Sequence, residues 1–246
     1  MNLQIVVPPK PCIYYCPYCI SRTRETHFDN VLDNDLKEYT ERFNAILSRE
    51  QNLVTAVITG TNDPTQSLDA VAKIVTILKD KRPDMTRELQ TKCYERFDLE
   101  YPLPKEIIDV VAFSIDDFAD LEKPYLIKNV INRYTIILTD AFNGKTLDDI
   151  LMRIPKEVTQ VTFKVLQVGG DETNTTNQVN HWIAKHRLAE KYLQSLKQEV
   201  ERVGESKGLS IRIDETCLQA KDRYKVVRED GLLYTDWDAV VPEEDR

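Results

Sequence analysis

Apolar positions along the chain fall into short runs separated by amphipathic stretches. Six runs have strand character: LQIVVP (3–8), LVTAVIT (53–59), TRELQTK (86–92), VVAFSI (110–115), YTIILT (134–139) and VTFKVLQV (161–168). Between them, apolar residues recur at helical spacing in 34–50, 66–80 and 145–154, with a short segment PKEII at 104–108 and a weak one at 122–129. A longer amphipathic stretch, 180–203, sets Trp182, Leu188, Tyr192, Leu196 and Val200 on one face and predicts a single long helix. Strands alternating with helices predict an α/β fold with a parallel sheet and right-handed crossovers. The apolar strands predict cover on both faces, as in a barrel or a doubly wound sheet. Either architecture puts its chemistry at the C-terminal ends of the strands.

Beyond residue 205 the pattern changes to GLSIRID (208–214), YKVVRE (224–229) and LLYTDWD (232–238), the last two joined by Asp230-Gly231, a hairpin turn signal. This divides the chain into a main domain over 1–205 and a C-terminal β-hairpin extension over 206–246, packed on the same domain. The hairpin and the polar loop 168–180 are the expected substrate elements.

Composition narrows the function. The formal charge of −8 disfavours an extended nucleic-acid partner. No apolar run approaches the roughly 20 residues that span a bilayer, and MNLQIVVPPK lacks a signal-peptide pattern, so no membrane and a cytoplasmic location are expected. Only seven glycines occur, and neither a GxGxxG nor a GxxxxGK[ST] motif is present. His27, His181 and His186 form no chelating pair, and no GxSxG elbow occurs.

The segment KPCIYYCPYCISR (10–22) carries Cys12, Cys16 and Cys19 just beyond the first strand, while Cys93 and Cys217 stand apart. In a reducing compartment, clustered thiols point to metal or redox chemistry rather than disulfides. A structural zinc takes four protein ligands, whereas three thiolates leave one position open. An iron–sulfur cluster with one iron free for a ligand, a zinc site and unliganded thiols all remain compatible with this spacing. Arg22 and Arg24, just beyond, are candidates for a carboxylate or phosphate.

Cys12-x3-Cys16-x2-Cys19 after a first strand resembles the signature of the radical S-adenosylmethionine (radical SAM) enzymes. The resemblance implies a partial (β/α)6 TIM-type barrel with a small C-terminal β extension. It implies one [4Fe-4S] cluster on the three cysteines and S-adenosylmethionine on the remaining iron, with Tyr18 facing the adenine. Thr59-Gly60-Thr61-Asn62-Asp63-Pro64 is similar to the family's Thr-Gly-Gly-Glu-Pro, one residue longer, whose backbone takes the cofactor's amino group. AFSIDDF is similar to the Ser-Leu-Asp of the branch containing the molybdenum-cofactor cyclase and peptide-modifying enzymes. Ser114 then meets the cofactor's carboxylate or ribose, and Asp116 orients the loop or accepts a ribose hydroxyl. By the same likeness Thr139 and Asn143 line the pocket, and Gln167 and Val168 contact the adenine through backbone; Lys164 is expected to point outward. Ser114, Asp116 and the Asn143-Gly144 pair are also ordinary cap and turn formers.

The implied activity is reductive cleavage of S-adenosylmethionine to a 5'-deoxyadenosyl radical that abstracts hydrogen from a small-molecule or nucleotide-like substrate. Flavodoxin or ferredoxin is the implied electron donor. An activase or modifying enzyme acting on a protein or RNA partner, and a noncatalytic iron–sulfur or zinc protein, are the alternatives.

Overall fold

All six apolar runs form strands in the computed structural model, which describes residues 1–8, 12–19, 28–96, 108–166, 178–203, 205–206, 208–214 and 224–235. They are β1 (Asn2–Val7), β2 (Thr55–Gly60), β3 (Thr86–Thr91), β4 (Val110–Ile115), β5 (Ile131–Leu138) and β6 (Val158–Val165). Four more follow: β7 (Glu205–Ser206), β8 (Leu209–Asp214), β9 (Tyr224–Val227) and β10 (Leu233–Tyr234). One sheet holds all ten in the order β10-β9-β1-β2-β3-β4-β5-β6-β8-β7. Every pair from β9 through to β8 is parallel, and only the short outermost strands β10 and β7 run antiparallel. The fold is an open, α/β partial TIM-type barrel.

Residues 208–214, read from sequence as part of an extension, continue the barrel as a parallel strand beside β6. The hairpin β9–β10 is present as expected, and β9 closes against β1. The alternation of inner and outer residues decides the layers. Leu3, Ile5, Ile58, Leu89, Phe113, Tyr134, Ile136 and Phe163 face the helices and form one core with them. The helices are α1 (Val31–Asn34), α2 (Leu36–Arg49), α3 (Leu68–Lys81), α4 (Leu147–Arg153), α5 (Gln178–His186) and α6 (Glu190–Val203). Asp35 caps α2, and Thr146 with Asp149 forms a capping box on α4.

Helical cover lies on the outer face. Inside, Arg133 pairs with Glu88 and donates to Gln160 Oε1 at 2.8 Å, Gln90 donates to Glu88 Oε1 at 3.1 Å, and Arg212 donates to Thr162 Oγ1 at 2.9 Å. The expectation of apolar cover on both faces is corrected here: much of the inner face is a hydrogen-bonded polar lattice, apolar mainly around Val6, Tyr224, Val226 and Tyr234. Two helix expectations also change. Residues 122–129 form turns rather than helix. The long helix over 180–203 is two, because the Leu188 N–H leaves the helical ladder to donate to Leu138 O of β5 at 3.0 Å, and Ala189 N–H donates to Asn143 Oδ1 at 3.1 Å. Most of the 104–108 segment lies outside the described residues. No described helix is long and apolar enough to cross a membrane.

The turn after β9 carries a buried polar group that matters to stability. Glu229 is 3% exposed, its Oε2 has no hydrogen-bond partner among the described residues, and its backbone carbonyl accepts from Leu32 N–H at 3.1 Å. Around it stand Arg228 and Asp230 of the same turn, Tyr39 and Arg42 of α2, and Tyr234 of β10. Burial lifts its carboxyl from 4.5 to about 7. The folded state therefore binds more protons than the unfolded chain between these values, and stability falls as pH rises through that window, then levels off. Glu229→Gln is expected to stabilise the protein by roughly 3 kcal/mol at pH 8 and by little at pH 4.5, as read by urea unfolding at the two pH values.

Candidate active site

The C-terminal ends of the strands open onto a cavity of about 280 Å³. Its wall includes Cys12, Cys16, Cys19 and Tyr18 of the loop after β1, Thr59, Gly60, Thr61, Asn62 and Asp63 after β2, and Ser114 of β4. Residues far apart in sequence thus meet because each follows or closes a neighbouring strand. Gln90, Lys92, Ile137, Ile183 and Lys164 complete much of the wall. Lys164 lines the cavity instead of pointing outward, since it alternates with the core-facing Phe163 on β6.

The cysteine loop is shaped by its backbone. Cys19 N–H donates to Cys16 O at 3.1 Å, closing a turn, and Tyr15 takes φ +44°, a left-handed conformation that costs a residue with a Cβ about 1–2 kcal/mol. Tyr14 lines the cavity wall, whereas Tyr15 is 73% exposed. Tyr14 hydrogen-bonds to Cys93, which is buried at the end of β3. Cys93, isolated in the sequence, therefore packs against the loop of the other three cysteines. Burial first, and this contact second, push the Tyr14 hydroxyl well above the usual tyrosine range. Among the described residues no three His, Cys, Asp or Glu side chains converge on one point as ligands of a single metal ion.

Tyr18 ties the loop to the barrel. Its hydroxyl donates to Asp116 Oδ2 at 2.8 Å, and the same oxygen takes the ammonium of Lys92. Its ring stacks at a tilt on Trp182 of α5, 5.7 Å between centroids, and Trp182 in turn stacks on His186, which is held by Asp140 at 2.9 Å. Burial, then repulsion from the neighbouring acidic groups of Cys16 and Asp116 when ionised, pushes the Tyr18 hydroxyl far above its ordinary range. Burial also raises the Cys16 thiol, and the Lys92 ammonium opposes that rise.

Asp63 is buried and fully engaged. Its carboxylate accepts from Thr65 N–H at 3.0 Å, Thr65 Oγ1 at 2.6 Å, Thr91 Oγ1 at 2.8 Å and Lys92 N–H at 2.6 Å. It fastens the end of β2 to the end of β3. Asn62 is the opposite case: 9% exposed, it lines the cavity with both carboxamide atoms unpartnered among the described residues. Each such buried atom forfeits about 1–3 kcal/mol until a partner arrives. A Cβ on Gly60 would stand 2.9 Å from both Asn62 O and Oδ1, so only glycine allows this close approach.

The remaining expected residues are placed differently. Thr139 and Asn143 do not line the cavity. Thr139 Oγ1 donates to Asp116 O at 2.7 Å, and Asn143 Oδ1 serves the break before α6. Ser114 lines the wall, and its carbonyl accepts from Tyr94 at 2.9 Å. Gln167, Val168, Arg22, Arg24, His27, Cys217 and residues 236–238 of the hairpin lie outside the described residues. Lys92, Gln90 and the Tyr14–Cys93 contact were missed from sequence. The signal for Lys92 was its place at the C-terminal end of the third apolar run.

No family model matches the chain, and no curated protein matches it in sequence. Among solved structures the chain is similar to "Native anSMEcpe with bound AdoMet and Cp18Cys peptide", at 14% identity and a TM-score of 0.60, over 98% of this chain and 76% of that one. The likeness is one of fold: this chain shares the barrel of that structure.

Two outcomes follow from this geometry. Asp63→Ala should strand four donors and lower stability by about 3 kcal/mol in urea titration. Gly60→Ala should leave the three thiols equally reactive to a maleimide probe in the native protein while lowering stability by about 1–2 kcal/mol in urea titration, because Asn62 and the turn are displaced.

Proposed function

We propose that the chain is a radical SAM enzyme. The observation that carries the reading is the convergence of three loop cysteines, the Thr59–Asp63 turn and Ser114 on one cavity, in a barrel whose fold matches a structure with AdoMet bound. Cys12, Cys16 and Cys19 would hold a [4Fe-4S] cluster through three thiolates. The orphaned Asn62 carboxamide, a donor and an acceptor side by side, fits a ligand that presents an ammonium and a carboxylate, as S-adenosylmethionine does. When bound, cluster and S-adenosylmethionine together supply one-electron reductive cleavage to a 5'-deoxyadenosyl radical.

The protein's own residues bind, orient and exclude water. Backbone carbonyls from Thr59 to Asn62 accept from the ammonium, and Gly60 allows the ligand and Asn62 to approach the turn. Asp63 contributes by rigidity rather than by contact, since its oxygens are occupied. Asp116, already holding Tyr18 and Lys92, orients the loop; Ser114 offers a hydroxyl at the wall. Ile137, Val165 and Ile183 make the wall apolar where a carbon radical must be kept from water.

Two substrate classes remain in view. A small-molecule or nucleotide-like substrate is the first. The second, a peptide or protein, gains support from the peptide held by the similar structure and from the cavity, about 280 Å³, which lies at the lower end of ligand pockets and leaves a substrate to enter through the open mouth. A low-potential donor of the flavodoxin or ferredoxin kind is the partner that either requires.

Anaerobic reconstitution with iron and sulfide should give one brown four-iron cluster per chain that supports reductive cleavage of S-adenosylmethionine to 5'-deoxyadenosine under dithionite. Alanine at Cys12, Cys16 or Cys19 should abolish both, whereas Cys93→Ala should retain the iron. One equivalent of zinc with no cluster after anaerobic purification would overturn the proposal.

A further inference from the structure

Lys92 and Asp116 form an ion pair whose position matters more than its strength. Lys92 lies at the end of β3 and lines the same wall as all three loop cysteines. Its ammonium contacts Asp116 Oδ2 and stands 6.0 Å from the centroid of the Tyr18 ring, between Cys16 and Cys19 in the loop. The pair is largely withdrawn from solvent, with side chains 18% and 15% exposed, so bulk water and salt screen it weakly. Lys164 is the other lysine on the wall, on β6.

We propose that Lys92 and Asp116 are a matched pair of fixed charges that set the reduction potential of the cluster held by the loop. This rests on the radical SAM reading and deepens it. Three thiolates around the cluster core leave the assembly anionic, and taking up one electron adds another negative charge. A cation on the cavity wall favours the reduced form, and a carboxylate opposes it. Because Asp116 offsets much of the Lys92 charge, the wild-type potential is a balance that each partner moves in a different direction. Tyr18 enforces the arrangement: its hydroxyl occupies the same carboxylate oxygen and keeps Asp116 from turning away. Lys92 is thus a positioning and tuning residue rather than a catalytic one.

The test is potentiometric titration of the reconstituted protein with dithionite as the one-electron source, the reduced cluster being followed by electron paramagnetic resonance. Lys92→Met should move the midpoint negative and Asp116→Asn should move it positive, each by about 59 mV, a tenfold change in the oxidised-to-reduced ratio at the wild-type midpoint. Lys92→Arg should stay near wild type. A role confined to holding the loop would lower cluster content without opposite shifts. Midpoints that move together, or that stay at the wild-type value in variants with full iron content, would overturn the inference. Should Lys92→Met fail to fold, the positive shift of Asp116→Asn against an unmoved Lys92→Arg decides it alone. Failure of the wild type to take up a cluster would instead overturn the proposed function, and this inference with it.

Discussion

A single oxygen, Oδ2 of Asp116, fixes the mouth of the barrel. It receives Tyr18 from the cysteine loop and Lys92 from the end of β3, while its own backbone carbonyl takes Thr139 from β5. Lys92 is tied twice, since its N–H goes to Asp63 and so to the end of β2. Four consecutive strands and the loop are thereby locked through two aspartates, by both carboxylates and one backbone carbonyl. Such groups are costly to bury unless every donor finds its acceptor, and here the partners are supplied by elements that meet only in the folded barrel. The loop, which contains the left-handed Tyr15, closes its own turn at Cys16–Cys19 and is anchored to the barrel through Tyr18.

The strands were legible because their apolar residues follow a period that the pleat imposes, and the helices because Tyr39, Phe43, Ile46 and Leu47, or Val71, Ile74, Val75 and Leu78, recur as one face. What failed was long-range. The six-residue step from Trp182 to Leu188 already interrupts the helical period, but the cause, capture of Leu188 by β5, lies far away in the chain. The polar inner face was hidden for a similar reason: Glu88 and Arg133 look like exposed charges until β3 and β5 are set on either side of β4.

At the site, the cysteines and the β2 turn were readable because each directly follows a strand, and strand ends in such sheets converge. The occupation of Asp63 was not, because its partners Thr91 and Lys92 belong to another strand. Nor was the contrast between neighbours: Asp63 is saturated and Asn62 is orphaned, though a sequence motif treats them alike. Stability is concentrated in the first and withheld at the second. Local rules broken at one buried amide, beside a glycine that admits no side chain, are the pattern expected where a fold gives up stability to hold a ligand.

The place of β1 has a consequence for how the molecule is made. The strand that carries the cysteine loop pairs with β2 on one side, yet its other neighbour, β9, is formed far later in the sequence, by Tyr224–Val227. Pairing across nearly the whole sequence is slow, because closing so large a loop precedes any reward. Until synthesis reaches that segment, β1 presents an open edge and the thiols beyond it lack half of their support. Closure of the β1 edge is therefore a late event, and the cysteine loop gains the full barrel beneath it only after β9 has paired.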